Sequence, residues 1–264
     1  HTFMGGLSHR GSQGVSGMIL DQTVKPETSF AGRKSWFFLD NQVICLGSDI
    51  SCDEPEYPLQ TNLCQKGLAP NDEGEHAPIV VDGEQVTVFP DERQLDPARP
   101  HWFIDPYQVG YYLPAGQTAT VARQHQTSRS TWDEVDTEGD MVVAWIDHGV
   151  APTDGDYEYM LVVRATPETM RSLSAEPPYL VIQRDQDAHI IHHAASGLWG
   201  CVLFVEQEVA PHAADEEILP VKAVDRPCLI MAETSDDGQL HLSVADPDLN
   251  LVDGVNQARA LQVT

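Results

Sequence analysis

Positive charge is what this 264-residue sequence has least of. Fifteen lysines and arginines stand against 41 aspartates and glutamates, a formal net charge of −26. Nucleic-acid binding relies on counterion release to clustered cations, so that partner class is excluded. Long apolar runs are missing too. Nothing approaches the roughly 20 apolar residues of a membrane helix, so a soluble chain with no membrane partner is expected. The start at His1 lacks the basic stretch and apolar core of a secretory leader and reads as processed or excised. Cysteine is sparse and odd in number (Cys45, Cys52, Cys64, Cys201 and Cys228), with no Cys-x-x-Cys, which argues against a disulfide framework or a zinc ribbon. Phosphate-cradling glycine loops, dinucleotide fingerprints and Gly-x-Ser-x-Gly elbows are also absent, and no cofactor is indicated.

What is present is a series of short β-branched and aromatic runs separated by Asn, Asp, Gly and Pro. They include Lys34–Leu39, Val43–Leu46, Ile79–Val81, Gln85–Phe89, Gly110–Leu113, Met141–Ile146 and Tyr157–Arg164. Tyr179–Arg184, Ala188–His192, Gly200–Val205, Cys228–Ala232 and Gln239–Val244 continue the series. This spacing predicts an all-β fold, a large antiparallel β-sandwich of stacked sheets, read as one domain over residues 1–264. Asp40-Asn41-Gln42 and Asp82-Gly83-Glu84 read as tight hairpin turns. One short helix is expected near 167–174, with Thr166 as N-cap and Pro167 at its first position. Asp49–Pro58, Ala69–His76 and His125–Asp140 read as long surface loops, where binding residues tend to sit. The acids are scattered between apolar strands, so they describe a solvated surface suited to salty surroundings rather than a disordered tail.

Of the eleven histidines, His189, His192 and His193 stand closest together. Strand alternation gives only two of them one face, too few for a tetrahedral zinc, and half-exposed strand histidines are expected. Asp154-Gly155-Asp156 and Asp236-Asp237-Gly238 lack the closing glutamate of a calcium loop and read as turns. Arg123 and His125, followed by Arg129, gather scarce basic groups beside a long loop. Their functional reading is contact with an anionic sugar or partner; the alternative is charge pairing with nearby carboxylates. Trp132 and Arg10 complete the candidate substrate-binding set, and Trp102, Tyr107, Tyr111 and Tyr112 flank the same loops. Aromatic rings stack on sugar faces, but core packing accounts for most of them equally well. No residue is read as catalytic.

Several segments together resemble the C-terminal β-sandwich region of polysaccharide lyase family eight, above all its chondroitin sulfate ABC lyases. They are the glycine-rich Phe3–Gly17, Lys34-Ser35-Trp36, Cys45–Ser48, Arg123–Gln126, Thr137-Glu138-Gly139, Ala144–His148, Tyr157–Met160, Ala165–Glu168, His189-Ile190-Ile191 and Val244–Asn250. The resemblance implies cleavage of uronate-containing glycosaminoglycans by β-elimination, with no redox cofactor. Such an enzyme must neutralise the uronate carboxylate, take the C5 proton and protonate the leaving oxygen. It also implies that the catalytic Asn, His, Tyr and Arg lie in a preceding α-helical toroid, which would then be this chain's partner domain. A secreted or periplasmic enzyme is expected, whose sandwich supports the toroid and lines the substrate cleft through Ser8–Gln13, Asp49–Pro58 and Gln124–Trp132. The alternative is a stand-alone carbohydrate-binding or structural sandwich without catalysis.

Overall fold

A computed structural model describes residues 3–21, 29–68, 70, 74–130, 132, 134–209, 213–214, 217–235, 237–248 and 250–264. The first strands are β1 (Met4–His9), β2 (Gln13–Asp21), β3 (Phe30–Leu39), β4 (Gln42–Cys52), β5 (Pro58–Gly67), β6 (Ile79–Val81), β7 (Glu84–Val86) and β8 (Asp91–Leu95). There follow β9 (His101–Ile104), β10 (Val109–Leu113), β11 (Ala119–Arg129), β12 (Asp136–Val150) and β13 (Gly155–Val163). The single helix among the described residues, α1 (Pro167–Ala175), precedes β14 (Tyr179–Arg184), β15 (Ala188–His193) and β16 (Leu198–Leu203). The expected antiparallel all-β architecture with one short helix is what the chain adopts. Its packing divides it into two compact units, one of residues 1–53, 152–158 and 177–264, the other of residues 54–151 and 159–176.

In the first unit β1 to β4 form an antiparallel meander, with the start of β13 beside β4. Facing it is a five-stranded sheet of β14, β15, β16 and the strands Cys228–Thr234 and Leu240–Ala245. The layers meet where glycine removes a side chain. A Cβ on Gly200 would stand 2.6 Å from Phe37, and one on Gly17 would stand 2.5 Å from Val202. The opposite face of the five-stranded sheet carries Ile190, Trp199, Cys201 and Ile230, covered by Val209, Leu219, Val221 and Val224. Both faces of β15 are therefore packed, and every residue of the strand is buried.

That packing corrects the expectation of half-exposed histidines, since His189, His192 and His193 all lie inside. On a central strand covered on both sides, alternation moves a side chain from one core to another, never to water. The His189 ring lies between two hydroxyls, Nδ1 at 2.7 Å from Ser35 Oγ and Nε2 at 2.9 Å from Ser48 Oγ. Ser48 donates its own hydrogen to Asp185 O at 2.6 Å, so it accepts from Nε2–H and Ser35 donates to Nδ1. Burial lowers the His189 pKa to about 3, which keeps this network neutral.

In the second unit the end of β13 pairs with β10, followed by β9, β6 and β7, and a separate sheet runs β5-β12-β11-β8. Helix α1 begins as its sequence specifies: Thr166 Oγ1 accepts from Thr169 N at 3.2 Å, and Pro167 fills the first position. Its Met170 packs on Gly110, where a Cβ would collide with the sulfur. On β10 the Tyr111 hydroxyl donates to Asp105 at 3.1 Å. Asp105 also accepts from the backbone of Tyr107 at 2.8 Å and Val109 at 3.0 Å, and is ion-paired with Lys66. A buried carboxylate this well supplied with donors fixes the β9–β10 turn.

The expected 125–140 loop is instead a hairpin. β11 and β12 pair without interruption from Ala119↔Ile146 to Arg129↔Asp136. Beyond Arg123 neither face is buried, so no apolar alternation marks the strands. Gln85–Phe89 shortens to β7, and β4 runs through Cys52, well into the expected Asp49–Pro58 loop. Residues 69, 71–73 and 236 of the other expected loop and turn lie outside the described residues.

Candidate functional site

The residues singled out at Arg123–Trp132 lie along β11 and its turn, and the strand divides them sharply. Arg123 is fully buried. Its guanidinium donates to the carbonyls of Val88 at 2.6 Å and Ala77 at 3.1 Å, with His76 O at 3.5 Å. It therefore ties two connecting segments to the sheet, through carbonyls and not through the carboxylates considered above. Two residues on, the same face reaches solvent. His125 is half exposed, with Nδ1 at 2.7 Å from Asp140 and Nε2 at 3.5 Å from Glu138. Hydrogen bonding to Asp140 raises the His125 pKa, and Glu138 adds to it. The other oxygen of Asp140 is met by His76 Nε2 at 2.9 Å.

This His76–Asp140–His125 bridge staples the root of the hairpin to the segment before β6. Asp140 stands directly across from His125 in the β11–β12 register, so reading the hairpin would have exposed that pair; nothing in the sequence signals His76. Further out Arg129 pairs with Glu134 at 3.0 Å, and Thr137 Oγ1 donates to Ser128 O at 3.2 Å. Trp132 is 97% exposed. Of the flanking aromatics, Trp102, Tyr111 and Tyr112 are core residues, while Tyr107 is exposed and donates its hydroxyl to Gly67 O.

The fifth candidate, Arg10, belongs to the first unit, in the turn between β1 and β2. It adopts φ +49° and is ion-paired with Glu233. Beside it His9 is buried, with Nδ1 at 2.8 Å from Ser243 Oγ. Desolvation lowers the His9 pKa despite the nearby Glu233. Among the described residues no three His, Cys, Asp or Glu are gathered as a metal ion would require.

Two family descriptions account for most of the sequence. Residues 1–174 match the super-sandwich domain of polysaccharide lyase family 8, and residues 180–252 match the C-terminal beta-sandwich domain of the same family. The chain belongs to polysaccharide lyase family 8. This family 8 chain is 31% identical over 256 residues to the chondroitin sulfate ABC exolyase of Bacteroides thetaiotaomicron, covering 96% of itself and 23% of that relative. With the chondroitin sulfate ABC endolyase of Proteus vulgaris it shares 29% over 265 residues, covering 93% and 25%. Among solved structures, a chondroitinase AC lyase superposes with a TM-score of 0.76 at 21% identity, over 94% of this chain and 34% of that one. A Paenibacillus xanthan lyase gives 0.76 at 22%, over 93% and 23%. At such identities the structures speak for the fold alone. The family 8 chain spans about a quarter of the length of these curated relatives.

Proposed function

We propose that this chain is the β-sandwich portion of a glycosaminoglycan lyase that acts by β-elimination on uronate-containing polymers. The observation that carries the reading is the pair of matches to both sandwich domains of the family, with 31% identity to a chondroitin sulfate ABC exolyase. The acid–base groups belong to an α-helical toroid elsewhere in the enzyme, and the sandwich supports that domain. The enzyme works outside the cytoplasm, secreted or periplasmic, where such polymers are met.

The chemistry of the chain's own side chains supports this division of labour. Abstraction of the uronate C5 proton requires an accessible Tyr or His. His9, His189, His192 and His193 are buried, and His125 is engaged by Asp140. Tyr111 and Tyr157 are buried, and burial raises both phenol pKa values; of the exposed tyrosines, Tyr57 and Tyr107, the second commits its hydroxyl to Gly67 O. Holding a polyanion calls for cations that this chain lacks. Arg10 on the Ser8–Gln13 turn, half exposed and ion-paired with Glu233, is the basic group we place nearest the polymer, apart from the acidic hairpin that carries Arg129.

The test is direct. Chondroitin sulfate is added to the 264-residue chain and to the complete gene product, and the ultraviolet absorbance of the unsaturated uronate is followed. The chain alone is expected to release none and the complete product to release it steadily. Robust product from the isolated chain would overturn the placement of the catalytic groups.

A further inference from the structure

The four-stranded sheet of the second unit is uneven. β8 pairs with β11 only as far as Arg123↔Asp91, and β5 pairs with β12 only from Gly67↔Met141. Beyond those points β11 and β12 continue together for five more pairs, His125↔Asp140 to Arg129↔Asp136. At about 3.3 Å per residue the hairpin projects roughly 17 Å as a two-stranded arm. Isolated two-stranded hairpins are marginal in water. This one is held by the His76–Asp140–His125 bridge at its root, by a Gln65–Gln126 side-chain bond at 2.7 Å and by Arg129–Glu134 near its end. Its end carries Trp132, almost wholly in water, and Val135, which is 54% exposed.

A stapled arm that presents a tryptophan to solvent is arranged for burial against something else, because fully exposed Trp forfeits a large hydrophobic gain and Trp dominates interface energetics. Charge selects the occupant. The described residues of the arm carry four carboxylates (Glu134, Asp136, Glu138 and Asp140) against one guanidinium, Arg129, which is already paired with Glu134. A sulfated or uronate polymer would be repelled, and so would a second copy of a chain at −26. A basic protein surface would be attracted. The chain spans about a quarter of its relatives' length, which leaves most of such an enzyme to supply that surface.

We propose that the β11–β12 arm is a protein-docking element that seats Trp132 in an apolar pocket of a basic surface on the catalytic portion of the same enzyme. This rests on the functional reading above and assigns the arm to protein, not to polysaccharide. The experiment compares acrylamide quenching of tryptophan fluorescence in the 264-residue chain and in the complete gene product, each with and without Trp132→Phe. In the isolated chain the substitution is expected to remove a red-shifted, readily quenched component. In the complete product the Trp132 component shifts to the blue, and its quenching constant falls several-fold. The triple substitution Glu134→Lys, Asp136→Lys and Glu138→Lys restores quenching there, with unchanged circular dichroism.

Equal quenching of Trp132 in both proteins overturns the docking proposal. So does chondroitin-oligosaccharide binding to the chain by calorimetry that Trp132→Phe abolishes, or concentration-dependent dimerisation abolished by the same change. A complete product that releases no unsaturated uronate sinks the functional reading; an active one with Trp132 still quenchable sinks only the docking.

Discussion

Arg123 and Arg129 lie on the same face of one strand, six residues apart, and meet opposite fates. The first is sealed in the sheet and held by backbone carbonyls; the second is 64% exposed with a single carboxylate for company. The same contrast separates His189, fixed neutral between Ser35 and Ser48, from His125, whose positive form is favoured by Asp140. What differs is the number of packed faces. Where neighbours cover the strand, a polar group leans on the fixed partners its buried atoms find, and its removal is costly. Where the strand stands alone, the same residue types are interchangeable as far as the fold is concerned.

Substitutions put the contrast at risk in order of size. His189→Ala empties a fully buried ring site, leaves the Ser35 hydroxyl without its acceptor and takes a donor from Ser48, so it should cost about 3–4 kcal/mol in urea unfolding. Arg123→Met should cost about 2–3 kcal/mol, because the carbonyls of Val88 and Ala77 lose charged donors while the methionine still fills the space. If either change proved as mild as one on the arm, the division between packed and bare strand would be wrong. Arg129→Ala and Glu134→Gln should leave the urea midpoint within error.

Acid sharpens the same comparison. The folded pKa of His189 lies below its unfolded value, so the unfolded chain takes up the proton first. Its contribution to stability is complete above about pH 6.5 and declines by up to about 1.4 kcal/mol per pH unit as pH falls toward 3. His189→Gln should flatten that limb of a pH–stability curve. His125 behaves oppositely. Its folded pKa is raised, so its contribution is present below the unfolded value and is lost as pH rises through the folded one. Titration by NMR should find His125 above 6.5, and Asp140→Asn should bring it down toward that value.

The sequence was legible where packing writes a periodic pattern. β6 and β14 span the residues expected of them, and Thr166-Pro167 marks the start of α1. The Asp82-Gly83 turn follows from its residues as well, both of which adopt positive φ. β1 and β2 were illegible because glycine interrupts their inner face beside Val15: at Gly17 the layers leave no room for a Cβ, so hydrophobic alternation breaks where packing is tightest. The arm was illegible for the opposite reason, having no packed face to write a pattern. The three histidines misled because strand alternation says which way a side chain points and not what lies there. Of the candidate site, Trp132 and Arg129 were found as exposed groups, while the Asp140 bridge depends on a register and on a distant segment that composition does not reveal.

The sealed Arg123 and the bare stretch that follows it make the root of the hairpin a natural splice point. The packed part of β11 is complete at that residue, and past the His125–Asp140 bridge the described residues of the arm answer to no core. The arm can therefore be lengthened, shortened or recharged in an engineered exchange between family 8 chains, while the sheet below it is left intact.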